Sequence, residues 1–469
     1  MSRGKELIKN TAIVALGKVC TKMWTFILLP FYTTALSTEE YGIVELLNTF
    51  VSLLLPIVAF QISDALFRFM IDARGKEEEK KEIISTILLF FVFQSVIFSI
   101  LFGIVESFVM IPFGQFLYLN VIVNIFSGAL LQLCRGLGDN VGYAIASFLS
   151  AGSVAVFNIL FVLILRYGAV GMLSAMFLSQ CISILYIIWK ERVFRFVRFR
   201  YFRYELLKKM LIYSVPLIPN YLCWWILGAS DKAVVSYFLG IAENGILSVS
   251  QKFSTAYTTV YNVFNLTWTE NASIHKDDVD REKYYSRVIE NAFRLLSSGC
   301  LVAIAIVGVA FPILINHKFA ASYYQIPIYL LSAFIHSVIG IFSVVYVALK
   351  KTKEIAKTSM YAAVINLVVN ICLIRYIGLF AASLSSVIAY AVLLGIRYFD
   401  IQKYMKIKLK KKIVCLFVVA LLFVFAVYYI RKPWAGILNL LIVIFYAVFM
   451  NKKIIREVKE LIYRKLVNR

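Results

Sequence analysis

Long apolar stretches alternate with short polar segments along the whole chain. Each stretch is long enough to cross ~30 Å of hydrocarbon as a helix of ~20 residues, so the pattern predicts an all-α polytopic membrane protein with about fourteen transmembrane helices. The predicted spans are 10–36, 41–67, 83–110, 116–136, 142–166, 168–190, 207–230, 234–268, 287–315, 323–349, 355–376, 378–402, 412–430 and 434–451.

Basic residues are concentrated in the even-numbered loops and in both terminal segments, whereas the odd-numbered loops are short and poor in them. Because basic loops stay on the cytoplasmic side, this asymmetry predicts a multi-pass protein of the bacterial cytoplasmic (inner) membrane with both termini cytoplasmic. The N-terminal segment shows no signal-peptide cleavage pattern, so we expect the first apolar stretch to be retained.

Composition supports this class. The chain is 61% hydrophobic, with a mean hydropathy of +0.82, which excludes a soluble globular domain. The net charge of +23 lies in loops beside the spans and not in a separate basic domain. We therefore ascribe it to topology and to attraction for membrane lipids, and do not expect nucleic acid as a partner.

The chain carries a weak internal repeat. A shift of 203 positions matches Leu36, Glu40, Gly42, Ile43 and Phe50 with Leu239, Glu243, Gly245, Ile246 and Phe253. Such a repeat predicts two six-helix lobes around an axis along the membrane normal, with a ligand site between them. The predicted division is an N-lobe at 1–190, a basic connector at 191–206, a C-lobe at 207–402, a basic loop at 403–411, and two further helices with a basic tail at 412–469.

A polar stripe follows the eighth predicted span. Its members are spaced by three or four residues and therefore share one helical face: Asn244, Ser248, Gln251, Thr255, Thr258, Asn262, Asn265 and Thr269. The stripe lines either a neighbouring helix or a hydrated cavity. Its amides both donate and accept hydrogen bonds, as sugar hydroxyls do, which favours a cavity for a polyhydroxylated ligand. The candidate sugar-binding residues are Asn48, Gln251, Thr255, Asn262 and Asn265.

Four cations are interpreted as lying inside spans: Lys18, Lys22, Lys252 and Arg294. Charge within a membrane is costly unless water or a partner solvates it. The first interpretation is a cationic cavity that binds the pyrophosphate of a lipid head group. The alternative is an ion pair with Glu45 or another buried carboxylate.

Other charges are predicted to form local pairs or gates. Arg294 follows Glu290, and Arg68 follows Asp64, at the i,i+4 spacing of a helical ion pair. Asp231 and Lys232 are predicted at an outer mouth as a gate pair. Together, the candidate gating and ion-pair residues are Glu45, Asp64, Arg68, Asp231 and Lys232.

The loops contain no catalytic motif, metal-ligand cluster or large outer domain, so we expect a transporter and not an enzyme, with no cofactor and no metal. The seven cysteines occur singly within or at the ends of apolar stretches and indicate no disulfide framework.

Several short motifs resemble those of bacterial polysaccharide (Wzx-type) flippases of the MOP/MATE-like exporter superfamily. They are Tyr213-Ser214-Val215-Pro216-Leu217-Ile218-Pro219, Ser230-Asp231-Lys232, Glu243-Asn244-Gly245-Ile246, Asn10-Thr11, Leu29-Pro30 and Glu40-Tyr41-Gly42. The resemblance implies two lobes in a V, and flipping of undecaprenyl-pyrophosphate-linked oligosaccharide units from the inner to the outer leaflet by alternating access. It implies a role in O-antigen, capsule or exopolysaccharide biosynthesis.

Other expectations complete this interpretation. A proton, a sodium ion or the membrane potential could drive the cycle, and we expect a monomer that can work with polysaccharide polymerase machinery.

Two alternative functions stay open. One is a MATE-like cation-coupled antiporter of drugs or small molecules, against which the first span counts because it carries Lys18 and Lys22 and no carboxylate. The other is a membrane glycosyltransferase or polymerase.

Overall fold

The computed structural model describes residues 26–275, 277–349 and 351–452, together with residues 456 and 460; it leaves aside the side chains at 266, 352 and 433. Within these residues all regular secondary structure is helical. The described α-helices are α1 (Leu29–Ala35), α2 (Thr38–Val58), α3 (Ile62–Asp72), α4 (Glu77–Phe108), α5 (Gly114–Leu137), α6 (Asn140–Asn158), α7 (Gly168–Glu191), α8 (Tyr204–Ser214), α9 (Ile218–Phe238), α10 (Ile241–Ile274), α11 (Arg281–Leu314), α12 (Ile326–Ala348), α13 (Thr352–Ile377), α14 (Leu379–Ile401), α15 (Lys411–Tyr428) and α16 (Pro433–Met450).

Eleven described helical segments are long and apolar enough to cross a membrane, which makes this a multi-pass membrane protein. The three other predicted spans are accounted for in different ways. Span 10–36 lies largely outside the described residues. The eighth span corresponds to α10, which is long but carries the polar stripe, and the fourteenth to α16, a shorter apolar helix.

Two predicted boundaries are wrong. The span predicted at 41–67 is two helices, because α2 ends at Val58 and the chain turns at Phe60 and Gln61, both with positive φ. The loop predicted at 231–233 does not exist. Instead α9 continues to Phe238, and the turn comes at Gly240, whose φ of 109° suits a residue without a side chain.

The chain divides into two compact units, one extending to Ser248 and the other starting at Val249. The first unit contains α1–α9 and the first turns of α10. The second contains the rest of α10 and α11–α16. The predicted lobes, with their boundary at the basic connector, stay a prediction.

The connector itself lies against α4 in the first unit. The Ser85 hydroxyl donates to the Phe196 carbonyl at 2.6 Å and accepts from the Arg198 amide at 3.2 Å. One turn away, the Arg203 guanidinium pairs with Glu82 at 2.9 Å. Since both hydrogen bonds and charge fix the segment, its basic residues are held along one end of α4.

The α6–α7 hairpin has a comparable charged anchor. Asp139 caps α6 by accepting the Gly142 amide at 2.9 Å, and it pairs with Lys190 of α7 at 2.5 Å. Partial burial opposes ionisation, but the Lys190 ammonium and the Gly142 amide outweigh it and hold the pKa of the Asp139 carboxyl below its ordinary value of 3.8. The two helices are therefore tied together at this end.

A close crossing of α2 with the start of α10 explains the strongest element of the sequence repeat. A Cβ atom on Gly42 would collide with the Ile241 carbonyl, and one on Gly245 would collide with the Thr38 carbonyl. Thr38 and Gly42 become Ile241 and Gly245 under the 203-residue shift, so the contact is reciprocal. Only glycine lets two backbones approach this closely.

Ser37 fixes where α2 begins. Its hydroxyl accepts the Glu40 amide at 3.0 Å, and the Glu40 carboxylate accepts the Ser37 amide at 2.9 Å. This capping box satisfies two amides that the first turn leaves without helical partners. It thereby sets the position of Gly42, one turn further on, against α10.

We predict that Gly42→Ala lowers the thermal stability of the purified protein, because its methyl group would meet backbone that cannot rotate away. Overpacking of this kind costs about 1–3 kcal/mol. The matched control is Gly128→Ala in α5, where a Cβ has no neighbour within 4 Å, and where alanine suits a helix better than glycine. Equal melting temperatures for the two variants, measured in one detergent, would contradict the close crossing.

Candidate functional site

A buried ion pair joins α2 to α9 inside the first unit. The Glu45 carboxylate lies 2.6 Å from the Lys232 ammonium, with side-chain exposures of only 5% and 15%. Glu45 was predicted as a possible partner of the intramembrane cations Lys18, Lys22, Lys252 and Arg294, whereas the structure pairs it with Lys232. Asp231 and Lys232 both lie inside α9 and not in a loop, and Lys232 reaches across to α2. Their role as a gate pair stays a prediction.

Two aromatic side chains of α9 extend this contact. The Trp225 indole N–H donates to the Thr49 carbonyl at 3.0 Å and approaches the Ser52 hydroxyl at 3.1 Å. The Tyr221 hydroxyl donates to Asp64 of α3 at 2.8 Å. Tyr221, Trp225 and Lys232 recur at offsets of four and seven residues and therefore share one face of α9.

We call this set the polar seam. It consists of Glu45, Thr49, Ser52 and Asp64 on α2 and α3, and Tyr221, Trp225 and Lys232 on α9. An ion pair and hydrogen bonds connect α9 to α2 and α3 here, between groups that are far apart in sequence. Sequence reasoning missed Tyr221 and Trp225, although two aromatic residues with polar tips, four residues apart in an apolar helix, were a usable signal.

The predicted pairing of Arg68 with Asp64 is wrong. Arg68 pairs instead with Asp72, at 2.6 Å and with both side chains at least half exposed. Asp64 accepts from Tyr221 and from the Gln61 amide at 3.1 Å. The turn at Gln61 starts α3 just before Asp64, so this carboxylate faces α9 while Arg68 finds its partner one turn onward.

The polar stripe of α10 changes character along its length. Asn244 and Ser248 are fully buried, and the Asn244 amide donates to the Gly42 carbonyl at 2.8 Å. These first residues, in the first unit, therefore pack against α2. The packing alternative holds for this end of the stripe.

Further along, in the second unit, the stripe becomes accessible. The Gln251 amide lies 3.3 Å from the Tyr329 hydroxyl, and Thr255 donates to the Gln251 carbonyl at 2.9 Å. Asn262 is exposed, whereas Asn265 is half-buried and its side-chain oxygen accepts no hydrogen bond from the described residues. Asn48, on α2, is half-buried and lies 3.6 Å from the Met176 sulfur.

The predicted intramembrane cations have different surroundings. Lys18 and Lys22 lie outside the described residues. Lys252 is half-buried on α10. Arg294 forms the predicted ion pair with Glu290 at 2.8 Å, and its guanidinium also donates to the Met450 carbonyl at 2.8 Å. It thus places a positive charge at the C-terminal end of α16, where the helix dipole favours one.

A further buried cation, Arg397 of α14, was missed. It is 1% exposed, and its guanidinium is surrounded by neutral oxygens of α12 and α13: the hydroxyls of Ser343, Thr358 and Ser359 and the carbonyl of Ile355, at 2.5–3.1 Å. Its position inside the predicted span 378–402 was the available signal. Because this cage joins three helices, we assign Arg397 to the scaffold of the second unit.

Among the described residues, no group of three or more His, Cys, Asp or Glu side chains could hold a metal ion.

Comparisons with known proteins agree with this architecture. Residues 7–268, more than half of the chain, match the family model described as "Polysaccharide biosynthesis protein". No curated protein sequence matches the chain.

Solved structures show the same fold at low sequence identity. The lipid II flippase MurJ, in an inward closed conformation, aligns with a TM-score of 0.75 and 14% identity over 95% of this chain and 99% of its own. An inward-facing multidrug resistance MATE family transporter of the MOP superfamily aligns at 0.66 and 15% identity, over 84% and 98%. An outward-facing structure of a MATE transporter of that superfamily aligns at 0.57 and 15% identity, over 83% and 94%. The chain therefore has the MOP-type transporter fold and belongs to the polysaccharide biosynthesis protein family.

Proposed function

We infer that this protein flips undecaprenyl-pyrophosphate-linked oligosaccharide units from the inner to the outer leaflet of the bacterial cytoplasmic membrane. Family membership supports a role in polysaccharide biosynthesis, and the fold supports a transporter. The observation that carries the proposal is the polar seam, because its ion pair and hydrogen bonds can break and form again.

A gate must separate at little net cost. Apolar packing loses its contacts outright when two helices part, whereas hydrogen-bonding groups can exchange one partner for another. In the seam, an ion pair and hydrogen bonds join α2 and α3 to α9. Water or ligand hydroxyls can replace them during opening, and the seam can form again afterwards.

The Glu45–Lys232 end of the seam is the part that we propose as an outer gate. In the orientation predicted from the basic loops, α2 starts and α9 ends on the outer side. Glu45 is two turns into α2, and Lys232 is within two turns of the end of α9. Closure there would block the outer exit while a head group enters from the cytoplasm, as alternating access requires.

For the ligand we propose two groups of residues. The pyrophosphate is bound by Lys18, Lys22 and Lys252, with Arg294 as a further candidate, and the sugars are bound by Asn48, Gln251, Thr255, Asn262 and Asn265. The exposed amide of Asn262 supports the sugar assignment. It can both donate and accept hydrogen bonds, as hydroxyl-rich ligands need.

The proposal is tested with the full chain reconstituted in liposomes with a fluorescent undecaprenyl-pyrophosphate oligosaccharide. We expect the fraction of label accessible to an added glycosidase to change only when protein is present. Protein-dependent export of cationic dyes without glycan flipping would favour the antiporter. Glycan transfer between carriers would favour the polymerase.

We predict that Lys18→Gln with Lys22→Gln lowers the flipping rate at least tenfold while the protein is still made and inserted. Two charges would be lost from the proposed pyrophosphate site, and charge-assisted hydrogen bonds are the strong ones. The control is Lys208→Gln with Lys209→Gln, which removes the same charge from exposed positions of α8. Unimpaired flipping by the Lys18/Lys22 variant, measured in the liposome assay, would exclude the cationic site.

We predict that Glu45→Gln alone impairs flipping at least tenfold, because it removes the carboxylate that pairs with the half-buried Lys232 ammonium. The exchange Glu45→Lys with Lys232→Glu should recover part of the rate by restoring a pair of opposite charges. Glu79→Gln is the control, since its ion pair with Lys76 is half exposed and contributes little. If the exchange variant is no better than Glu45→Gln, the seam does not act through this ion pair.

A further inference from the structure

A strongly basic cavity lies within the second unit. Of the described residues proposed for transport, only Arg294 lines it. Its volume is about 670 Å³, and eleven residues line it. Six of these are cationic: Lys283, Arg287 and Arg294 on α11, and Lys406, Lys408 and Lys410 on the segment before α15. Only two, Glu282 and Glu290, are anionic.

One wall of the cavity is the segment before α15, which its backbone amides fix to α11. The Lys406 amide donates to the Glu282 carboxylate and the Lys408 amide to the Ser286 hydroxyl, each at 3.0 Å. These bonds hold residues 406–410 as an extended segment along the first turns of α11. The position of the segment is therefore specified and not left to a loose loop.

Side chains alternate along this segment as extended geometry requires. Ile407 is 1% exposed, whereas Lys406, Lys408 and Lys410 are exposed. The buried isoleucine anchors the segment, and the three lysines consequently line the same cavity. On α11, Lys283 and Arg287 are one turn apart and form the facing wall.

The two carboxylates do not neutralise this charge. Glu282 already accepts the Lys406 amide, and Glu290 is shared by Arg294 at 2.8 Å and Lys410 at 3.2 Å. Within the described residues, no carboxylate pairs with Lys283, Arg287, Lys406 or Lys408. Like charges gathered in one cavity repel one another, so the site is most stable when an anion occupies it.

In the orientation predicted from the basic loops, the cavity lies at the level of the inner-leaflet head groups. Lys410 directly precedes the apolar helix α15, and Met450, which also lines the cavity, is the last residue of α16. Both lie at the end of an apolar helix. Basic pockets between helix ends on the cytoplasmic side are suited to phosphate-bearing lipid head groups.

We propose that this cavity is a binding site for the phosphate head group of an anionic phospholipid of the inner leaflet. The lipid phosphate contacts Lys406 and Lys408 from the extended segment and Arg287 from α11. Bound there, it ties the segment before α15 to α11 by charge. Its three phosphate contacts are not among the residues proposed above for the transport ligand; of the described residues, only Arg294 belongs to both the cavity lining and that set.

The test titrates the purified full chain in a neutral detergent with phosphatidylglycerol and follows bound lipid by native mass spectrometry. Lys406→Gln with Lys408→Gln should weaken binding about thirtyfold, the expected effect of losing two basic residues near a membrane surface. Lys406→Arg with Lys408→Arg should bind as the wild type does. Lys208→Gln with Lys209→Gln, outside the cavity, should leave the affinity within about twofold. Arg287→Gln, on the facing wall, tests the site without altering the extended segment.

Two comparisons identify the source of the phosphate. Phosphatidylcholine should not compete, and glycerol phosphate, which carries a phosphate group but no acyl chains, should bind far more weakly. Glycerol phosphate binding as tightly as the lipid would replace the lipid site by one for a soluble anion. Equal losses in the Lys406/Lys408 and Lys208/Lys209 variants would overturn the proposal, because the interaction would then depend on overall charge and not on this cavity.

Discussion

Much of this structure depends on the need to solvate charged groups inside the membrane, and the ion pair of Glu45 with Lys232 meets that need. A charge in hydrocarbon is tolerated only where a partner or water solvates it. A carboxylate on α2 and an ammonium on α9 satisfy each other, and by doing so they fix which faces of the two helices meet. Trp225 and Tyr221 then reach polar groups on α2 and α3 from that same face. One electrostatic requirement thus determines the register of a whole helix pair.

Close approach is the second determinant, and it acts through glycine. Gly42 and Gly245 let the backbones of α2 and α10 come together where any side chain would hold them apart. The Asn244 amide then reaches the Gly42 carbonyl. The reciprocal geometry follows from two copies of one motif facing each other, so a weak sequence repeat has a direct structural consequence.

The sequence predicted the class of the fold well, because hydrocarbon thickness and the distribution of charge act on every span. It also predicted the Glu290–Arg294 pair, which depends only on helical spacing. It failed where tertiary contacts decide. The end of α9 depends on Gly240. The partner of Asp64 depends on how α3 turns towards α9. The burial of Arg397 depends on three helices that come together. No local pattern contains that information.

Arg397 and Lys232 show two ways to bury a cation, and the two differ in how easily the contact can separate. Arg397 is held by several neutral oxygens from α12 and α13. To move it would break all of these bonds at once, which suits a permanent scaffold. Lys232 forms an ion pair with the Glu45 carboxylate on α2, and water or a ligand can take the place of that carboxylate. The proposed alternating-access cycle needs both arrangements, because one set of helices must stay together while another separates. We therefore expect opening to begin at the α2–α9 seam while α12, α13 and α14 move as one body.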